Sequence, residues 1–176
     1  MGGGAIVRGY CGIALLGTKF PSNVGTVLRS AHCFGADFLA TIGARYVRRQ
    51  ATDTTAAERH VPLFHFGNVE AFMASLPSTA QVVAIEVDGV ADLSSFQHPE
   101  RAVYLLGAED RTLPWNDKWK RVRIPTKLCL NLAVAASIVL YDREAKFRSS
   151  KSSAAGPESV CSVADQDAGS AGVGLR

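Results

Sequence analysis

The sequence predicts an α/β domain, a mostly parallel sheet flanked by helices. Three observations carry that expectation. Short apolar runs of strand character recur along the chain, the segments between several of them place apolar residues at helical spacing, and glycine or proline stands at the joints. The chain has 176 residues, 47% hydrophobic and 20% charged, which is enough apolar mass for one core. From Ser149 the composition turns to Ser, Ala and Gly with scattered charge, too little apolar density to offset the entropy of ordering. The expected division is therefore a folded domain over 1–148 and a disordered tail over 149–176.

The first expected strand runs from Cys11 to Gly17. Turn chemistry follows, and Ser22 or Asn23 can cap a helix whose apolar residues Val24, Val27, Leu28, Ala31 and Phe34 recur at helical spacing. Gly35 closes that helix as a C-terminal glycine. Phe38 to Ile42 reads as a second strand, ending at Gly43, and residues 44–60 as a polar loop with some helix. A short strand over 62–66 precedes a helix capped by Asn68 and running through Leu76. Gln81 to Val87 is a clear buried strand, Asp88-Gly89 a turn, and 92–96 a connecting segment. Arg101 to Gly107 is another strand, and Arg121 to Pro125 an edge-like or terminal one. The last helix starts near Asn131, and its pattern of Leu132, Val134, Ala135, Ile138, Val139 and Tyr141 suits packing on several sides. Arg143, Lys146 and Arg148 would complement the dipole at its end.

Composition excludes several classes. No run approaches the ~18 apolar residues that span a bilayer, so no membrane is expected. The first residues lack the pattern of a secretory signal, which makes the cytoplasm the default. Cys11, Cys33, Cys129 and Cys161 form no CxxC pair and no zinc-spaced cluster, so no metal is expected and the thiols read as small buried side chains. The net charge of +3 is compatible with a polyanionic partner. Neither a G-x-G-x-x-G after a strand nor a G-x-S-x-G occurs, which argues against a dinucleotide-dependent dehydrogenase and a serine hydrolase.

Three stretches hold the candidate chemistry, and each follows an expected strand, where parallel sheets bind ligands. The first places Asn23, Gly25 and Arg29 at a loop-to-helix junction. It reads either as a cap with a solvated arginine or as helix-start N–H groups and a guanidinium facing an anion. The second places Gly107 and Glu109 at a strand end, where glycine admits a close approach and the carboxylate can meet a cation or orient the loop. The third runs from Ile124 to Ala136, and its Asn131, expected to be buried at a helix entrance, can cap that helix or hold a neighbouring loop.

In this order, the three stretches resemble the motifs of SPOUT-class RNA methyltransferases in their TrmH-like branch, over roughly residues 10–148. Asn23, Gly25 and Arg29 match the first motif, Gly107 and Glu109 the second, and Ile124, Pro125, Cys129, Leu130, Asn131 and Ala135 the third. Cys129 stands where the family commonly has serine, and a thiol is the weaker hydrogen-bonding group. The resemblance implies a parallel-sheet core whose C-terminal third threads a trefoil knot, an arrangement rare among folds. It implies S-adenosylmethionine as methyl donor, in a pocket lined by Glu86, Gly107, Ile124, Cys129, Leu130 and Leu132. It further implies a homodimer with each site built across the interface.

The implied reaction is methyl transfer to a ribose 2′-hydroxyl of a structured RNA, tRNA favoured over rRNA, with Arg29, Asn23, Glu109 and Asn131 as the catalytic set. The resemblance casts Arg29 as the group that activates the hydroxyl. Because a guanidinium stays protonated, binding phosphate and polarising the hydroxyl is the simpler role. Arg8, Lys19, Arg45, Arg48, Arg49, Arg59 and Lys127 are the candidate RNA contacts. The rival readings are a base methyltransferase on the same fold and a non-catalytic RNA-binding relative.

Overall fold

The structure, a computed structural model, describes residues 9–45, 59–108, 110 and 112–154. Seven strands form one sheet: β1 (Tyr10–Leu16), β2 (Phe38–Ile42), β3 (Leu63–Phe66), β4 (Gln81–Ile85), β5 (Ala91–Asp92), β6 (Arg101–Gly107) and β7 (Lys120–Arg123). Their order across the sheet is β3-β2-β1-β6-β4-β7-β5, and every pairing is parallel. The fold class expected from the sequence is the one observed. Two details differ. β7 lies inside the sheet, because the two-residue β5 pairs outside it and forms the edge. The connecting segment after Ala91 is therefore part strand and part a single 3-10 turn over Leu93–Ser95.

A parallel sheet needs both faces covered, and alternation along the strands divides the core accordingly. Ile13 and Leu15 of β1, Val83 of β4 and Tyr104 of β6 face helices α1 (Pro21–Cys33) and α3 (Leu132–Ala154). Ala14, Ala40, Val82, Val103 and Leu105 face the other way, onto Phe72 of α2 (Val69–Ser75) and onto Leu113 and Trp119 of the loop before β7.

The helix boundaries follow local chemistry. α1 begins at Pro21, with Phe20 at the cap position and no side-chain cap bond, so neither Ser22 nor Asn23 serves as the cap. Proline at the first helical position needs no partner for a missing N–H, and its fixed φ suits the helix. At the other end Gly35 takes φ +69°, while the N–H of Ala36 reaches the carbonyl of Ala31 at 2.8 Å. That is a Schellman ending, as the glycine predicted. Asn68 caps α2 as expected, accepting from the N–H of Ala71 at 2.8 Å.

Helix α3 departs from expectation in length and in surroundings. It continues past 148 to Ala154, so the first residues assigned to the tail are helical, and positions 155–176 lie outside the described residues. Arg143, Lys146 and Arg148 thus precede its last turn and act differently. Arg143 donates to the carbonyls of Pro99 and Glu100, Lys146 donates to that of Leu93 at 2.6 Å, and Arg148 pairs with Glu144. Beneath them His98 bridges Tyr104 at 2.6 Å and Asp142 at 2.8 Å. Burial, opposed by Asp142, holds the His98 pKa below its ordinary value, which favours the uncharged ring. A neutral imidazole donating from Nε2 to the carboxylate accepts at Nδ1 from the phenol. Val134 and Tyr141 of α3 are 47% and 62% exposed, so the helix is not covered on every side.

The turn after β4 wraps β7 closely. The N–H of Glu86 donates to the carbonyl of Val122 at 3.0 Å, and a Cβ added to Gly89 would stand 2.4 Å from the backbone carbon of Val122. Backbone cannot yield there as a side chain could. Gly89→Ala is expected to lower the urea midpoint, by about 1–3 kcal/mol of stability. Gly67→Ala, which adds a methyl group to open space, should stay within about 0.5 kcal/mol of the unaltered chain. Equal midpoints for both variants would contradict the close wrapping.

Candidate functional site

Strands β4, β6 and β7 end level with one another, and a cavity of about 230 Å³ lies across their carboxyl ends. Ile85 and Glu86 come from the end of β4, Leu106, Gly107 and Ala108 from the end of β6, and Ile124 from the residue after β7. Cys129, Leu130, Leu132 and Ala135 close the wall from the loop into α3. All six residues expected around a cofactor (Glu86, Gly107, Ile124, Cys129, Leu130 and Leu132) meet at this one cavity. Cys129 is exposed at its wall and Cys33 is exposed on α1, so burial holds only for Cys11 among the described cysteines. Burial pushes the Cys11 thiol up to about 12, leaving it an uncharged core group.

Glu86 is the half-buried carboxylate of the cavity. Its Oε1 accepts from the N–H of Leu113 at 2.6 Å, tying the loop after β6 to the end of β4. Burial raises its pKa, and the Leu113 N–H and the nearby Arg121 charge oppose that shift.

The residues proposed for catalysis are only partly brought together. The Nδ2 of Asn131 donates to Oδ1 of Asn23 at 3.2 Å, while its own Oδ1 accepts from the N–H of Ala133 at 2.8 Å. Of the two open readings of Asn131, capping is realised; the neighbour it holds is helix α1 and not a loop. The buried member is Asn23, at 9% exposure, whereas Asn131 is exposed. A second bridge, Ser30 to Ser137 at 2.7 Å, continues the α1–α3 contact. Arg29 is exposed on α1, does not line the cavity and has no partner among the described residues. Glu109 lies outside the described residues.

Of the expected RNA contacts, Lys19 and Arg45 converge on a single carboxylate. Arg45 grips Asp110 with Nη1 and Nη2, at 3.0 and 2.7 Å, and Lys19 reaches the same group at 2.6 Å. Arg45 also donates to the carbonyl of Gly17 at 2.8 Å. The Arg45 fork, then Lys19, hold the Asp110 carboxyl well below the usual range. This clamp joins the loops after β1, β2 and β6, and Asp110 also lines the cavity. The sequence reading missed it, since Lys19, Arg45 and Asp110 become neighbours only once β2, β1 and β6 lie side by side. Arg59 and Lys127 are exposed; Arg8, Arg48 and Arg49 lie outside the described residues. Among the described residues no group of three His, Cys, Asp or Glu side chains could hold a metal ion, and no helix is long and apolar enough to cross a membrane.

An open parallel sheet with a cavity across the carboxyl ends of its strands is the ligand-binding geometry of α/β enzymes. Residues 11–141 match the SpoU rRNA Methylase family, and the chain belongs to that family, S-adenosylmethionine-dependent RNA methyltransferases. No curated protein matches it. Among solved structures, it is similar to one that gives structural insights into the 2-OH methylation of C/U34 on tRNA. The two share 26% identity at a TM-score of 0.73, over 81% of this chain and 99% of that one. It is also similar to the AdoMet-bound rRNA methyltransferase from Sinorhizobium meliloti, with 27% identity, a TM-score of 0.67 and coverage of 79% and 57%. The SpoU methyltransferase AviRb from Streptomyces viridochromogenes, solved with AdoMet, shares the fold at 22% identity, a TM-score of 0.71 and coverage of 82% and 63%. The chain thus spans nearly all of the first relative and about three fifths of the other two.

The raised pKa of Glu86 has a sign that can be checked. A carboxyl raised in the folded state stabilises while neutral, and that contribution is lost as pH rises through the folded pKa. Glu86→Gln keeps an acceptor for Leu113 and removes the charge. The variant is expected to melt higher than the unaltered chain at neutral pH, with the difference shrinking as pH falls through the raised pKa. A difference that grows on acidification would refute the burial argument.

Proposed function

We propose that the chain transfers a methyl group from S-adenosylmethionine to a ribose 2′-hydroxyl of a structured RNA, with tRNA favoured over rRNA. The observation that carries this reading is the meeting of all six expected cofactor residues at one cavity on the carboxyl ends of β4, β6 and β7. The walls suit the donor. Ile85, Leu106, Ile124 and Leu132 offer apolar contact, Gly107 leaves backbone accessible, and Glu86 supplies negative charge beside a ligand that carries a sulfonium and an ammonium. A cation in the cavity would favour the ionised form of Glu86 that burial disfavours.

When bound, the donor supplies an electrophilic methyl group, so the protein's task is alignment and handling of the hydroxyl proton. In this reading Asn131 and Asn23 lock the start of α3 to α1, which sets the loop carrying Cys129 and Leu130. Glu109 orients the loop after β6. Arg29, permanently charged, binds the target phosphate and polarises the 2′-hydroxyl. Cys129, exposed at the cavity wall, does not anchor the substrate.

A homodimer belongs to the same proposal. Arg29 stands outside the cavity of its own chain, and Val134 and Tyr141 leave apolar surface on α3, so a second copy is the source of the missing cation. The threaded C-terminal third that the resemblance implies is also part of it. The preference for tRNA rests on length, because the chain spans nearly all of a relative tied to tRNA 2-OH methylation.

Arg29→Ala is expected to abolish methyl transfer to tRNA while donor affinity, measured by calorimetry, stays nearly intact. The product should resist alkali at one phosphodiester, since a methylated 2′-oxygen cannot attack the adjoining phosphate. Methylated yet alkali-labile RNA would turn the reading to a base methyltransferase. Absence of donor binding would turn it to a non-catalytic relative.

A further inference from the structure

Trp115 is 71% exposed, yet its ring is fixed on two sides. Its Nε1–H donates to Asp117 at 2.6 Å, and the guanidinium of Arg121 lies 5.2 Å from the ring centroid. Arg121 is itself restrained, with a side chain only 7% exposed and Nη2 donating to Asp88 at 3.0 Å. The indole is thus held at its edge and backed on one face by a cation, with the other face open to solvent. An aromatic so restrained has little rotamer freedom left to lose when a ligand arrives.

The ring belongs to a loop that reaches the cavity. Thr112 lines the cavity wall, Leu113 is tied to Glu86 at 2.6 Å, and Trp115 follows in the same loop. Two exposed lysines, Lys118 and Lys120, lie close behind it in the chain.

We propose that the open face of Trp115 is a stacking platform for one unpaired base of the RNA, flanking the nucleotide to be methylated. The inference rests on the RNA methyltransferase reading and adds to it a contact and its chemistry. Proteins that read unpaired RNA stack splayed bases on aromatic rings, and here the indole offers one open face while the Arg121 guanidinium backs the other. Asp117 and Asp88 sit nearby, but each is engaged, one by the indole N–H and the other by Arg121. A subunit interface is the competing use of an exposed tryptophan, yet interface cores are depleted in lysine and this loop carries two. Because every base has a π-face, the platform adds affinity and steadies the flanking nucleotide without choosing its identity.

The test uses the full chain with bulk tRNA and a short unstructured oligoadenylate. With only two tryptophans in the chain, Trp119→Phe leaves Trp115 as the single reporter, and its fluorescence is expected to be quenched by either RNA. Trp115→Ala should weaken RNA binding by roughly 5- to 100-fold, Trp115→Phe should restore most of it, and donor affinity should not change in any variant. Iodide quenching of the unaltered protein gives a second measure, since bound RNA should shield its exposed tryptophan. Unchanged RNA affinity in Trp115→Ala, with no shielding, overturns the proposal while leaving the methyltransferase reading intact. A shift of oligomeric state in Trp115→Ala overturns it in favour of a subunit contact. If the unaltered chain binds neither RNA, the underlying reading falls together with this one.

Discussion

Leu16 lies level with Gly107 and Leu106 with Ile85 in the parallel ladder that sets β6 between β1 and β4, and the site depends on that register. It brings three strand ends to one line, so the loops leaving them share one rim. Backbone bonds carry the ladder beyond the strands, from Gly17 to Ile42 at 2.8 Å and from Ala108 to Leu16 at 3.0 Å. A slip of one residue in β6 would turn Tyr104 and Leu106 toward α2 and bring Val103 and Leu105 under α1 and α3. It would also displace Gly107 from the wall it helps to form.

The two helices over the opposite face settle what the ladder leaves open. α1 and α3 are joined by polar bonds at Asn23–Asn131 and Ser30–Ser137, while Val24, Val27, Leu28, Ala136, Val139 and Leu140 fill the apolar layer around them. Apolar packing is tolerant of small rotations, whereas hydrogen bonds are directional, so these two pairs fix how far α3 turns about its axis. Lower down, the His98 network and the bonds from Arg143 and Lys146 hold the same helix to the segment before β6. The loop from Ile124 to Asn131 therefore hangs between fixed ends.

What could be read from the chain divides by range. Strands β1, β2, β4 and β6 are dense apolar runs, and Gly35 and Asn68 act within a few residues of themselves, so each was legible. The six cavity residues were not legible from periodicity and came only through the motif resemblance, because they are scattered over the ends of three strands, a loop and the start of α3. Local signals also competed. Pro21 outranked Ser22 and Asn23 as the start of α1, since it places the helical φ in advance. The continuation of α3 past 148 was hidden by a composition poor in apolar residues, in a stretch where the Arg148–Glu144 pair lies one turn apart. The interior place of β7 and the convergence on Asp110 are properties of sheet order, which no single segment encodes.

Asp110 gives the rim an internal counterion. Lys19 and Arg45 are two positive charges beside the cavity, but they share that one carboxylate, so the three groups together carry a single net positive charge. A phosphate approaching them must share them with the carboxylate, so the pair neutralises less of a polyanion's charge, and releases fewer of its condensed cations, than two free cations would. These two side chains should therefore steepen the ionic-strength dependence of association less than their number suggests, while making the loop itself sensitive to whatever displaces the carboxylate.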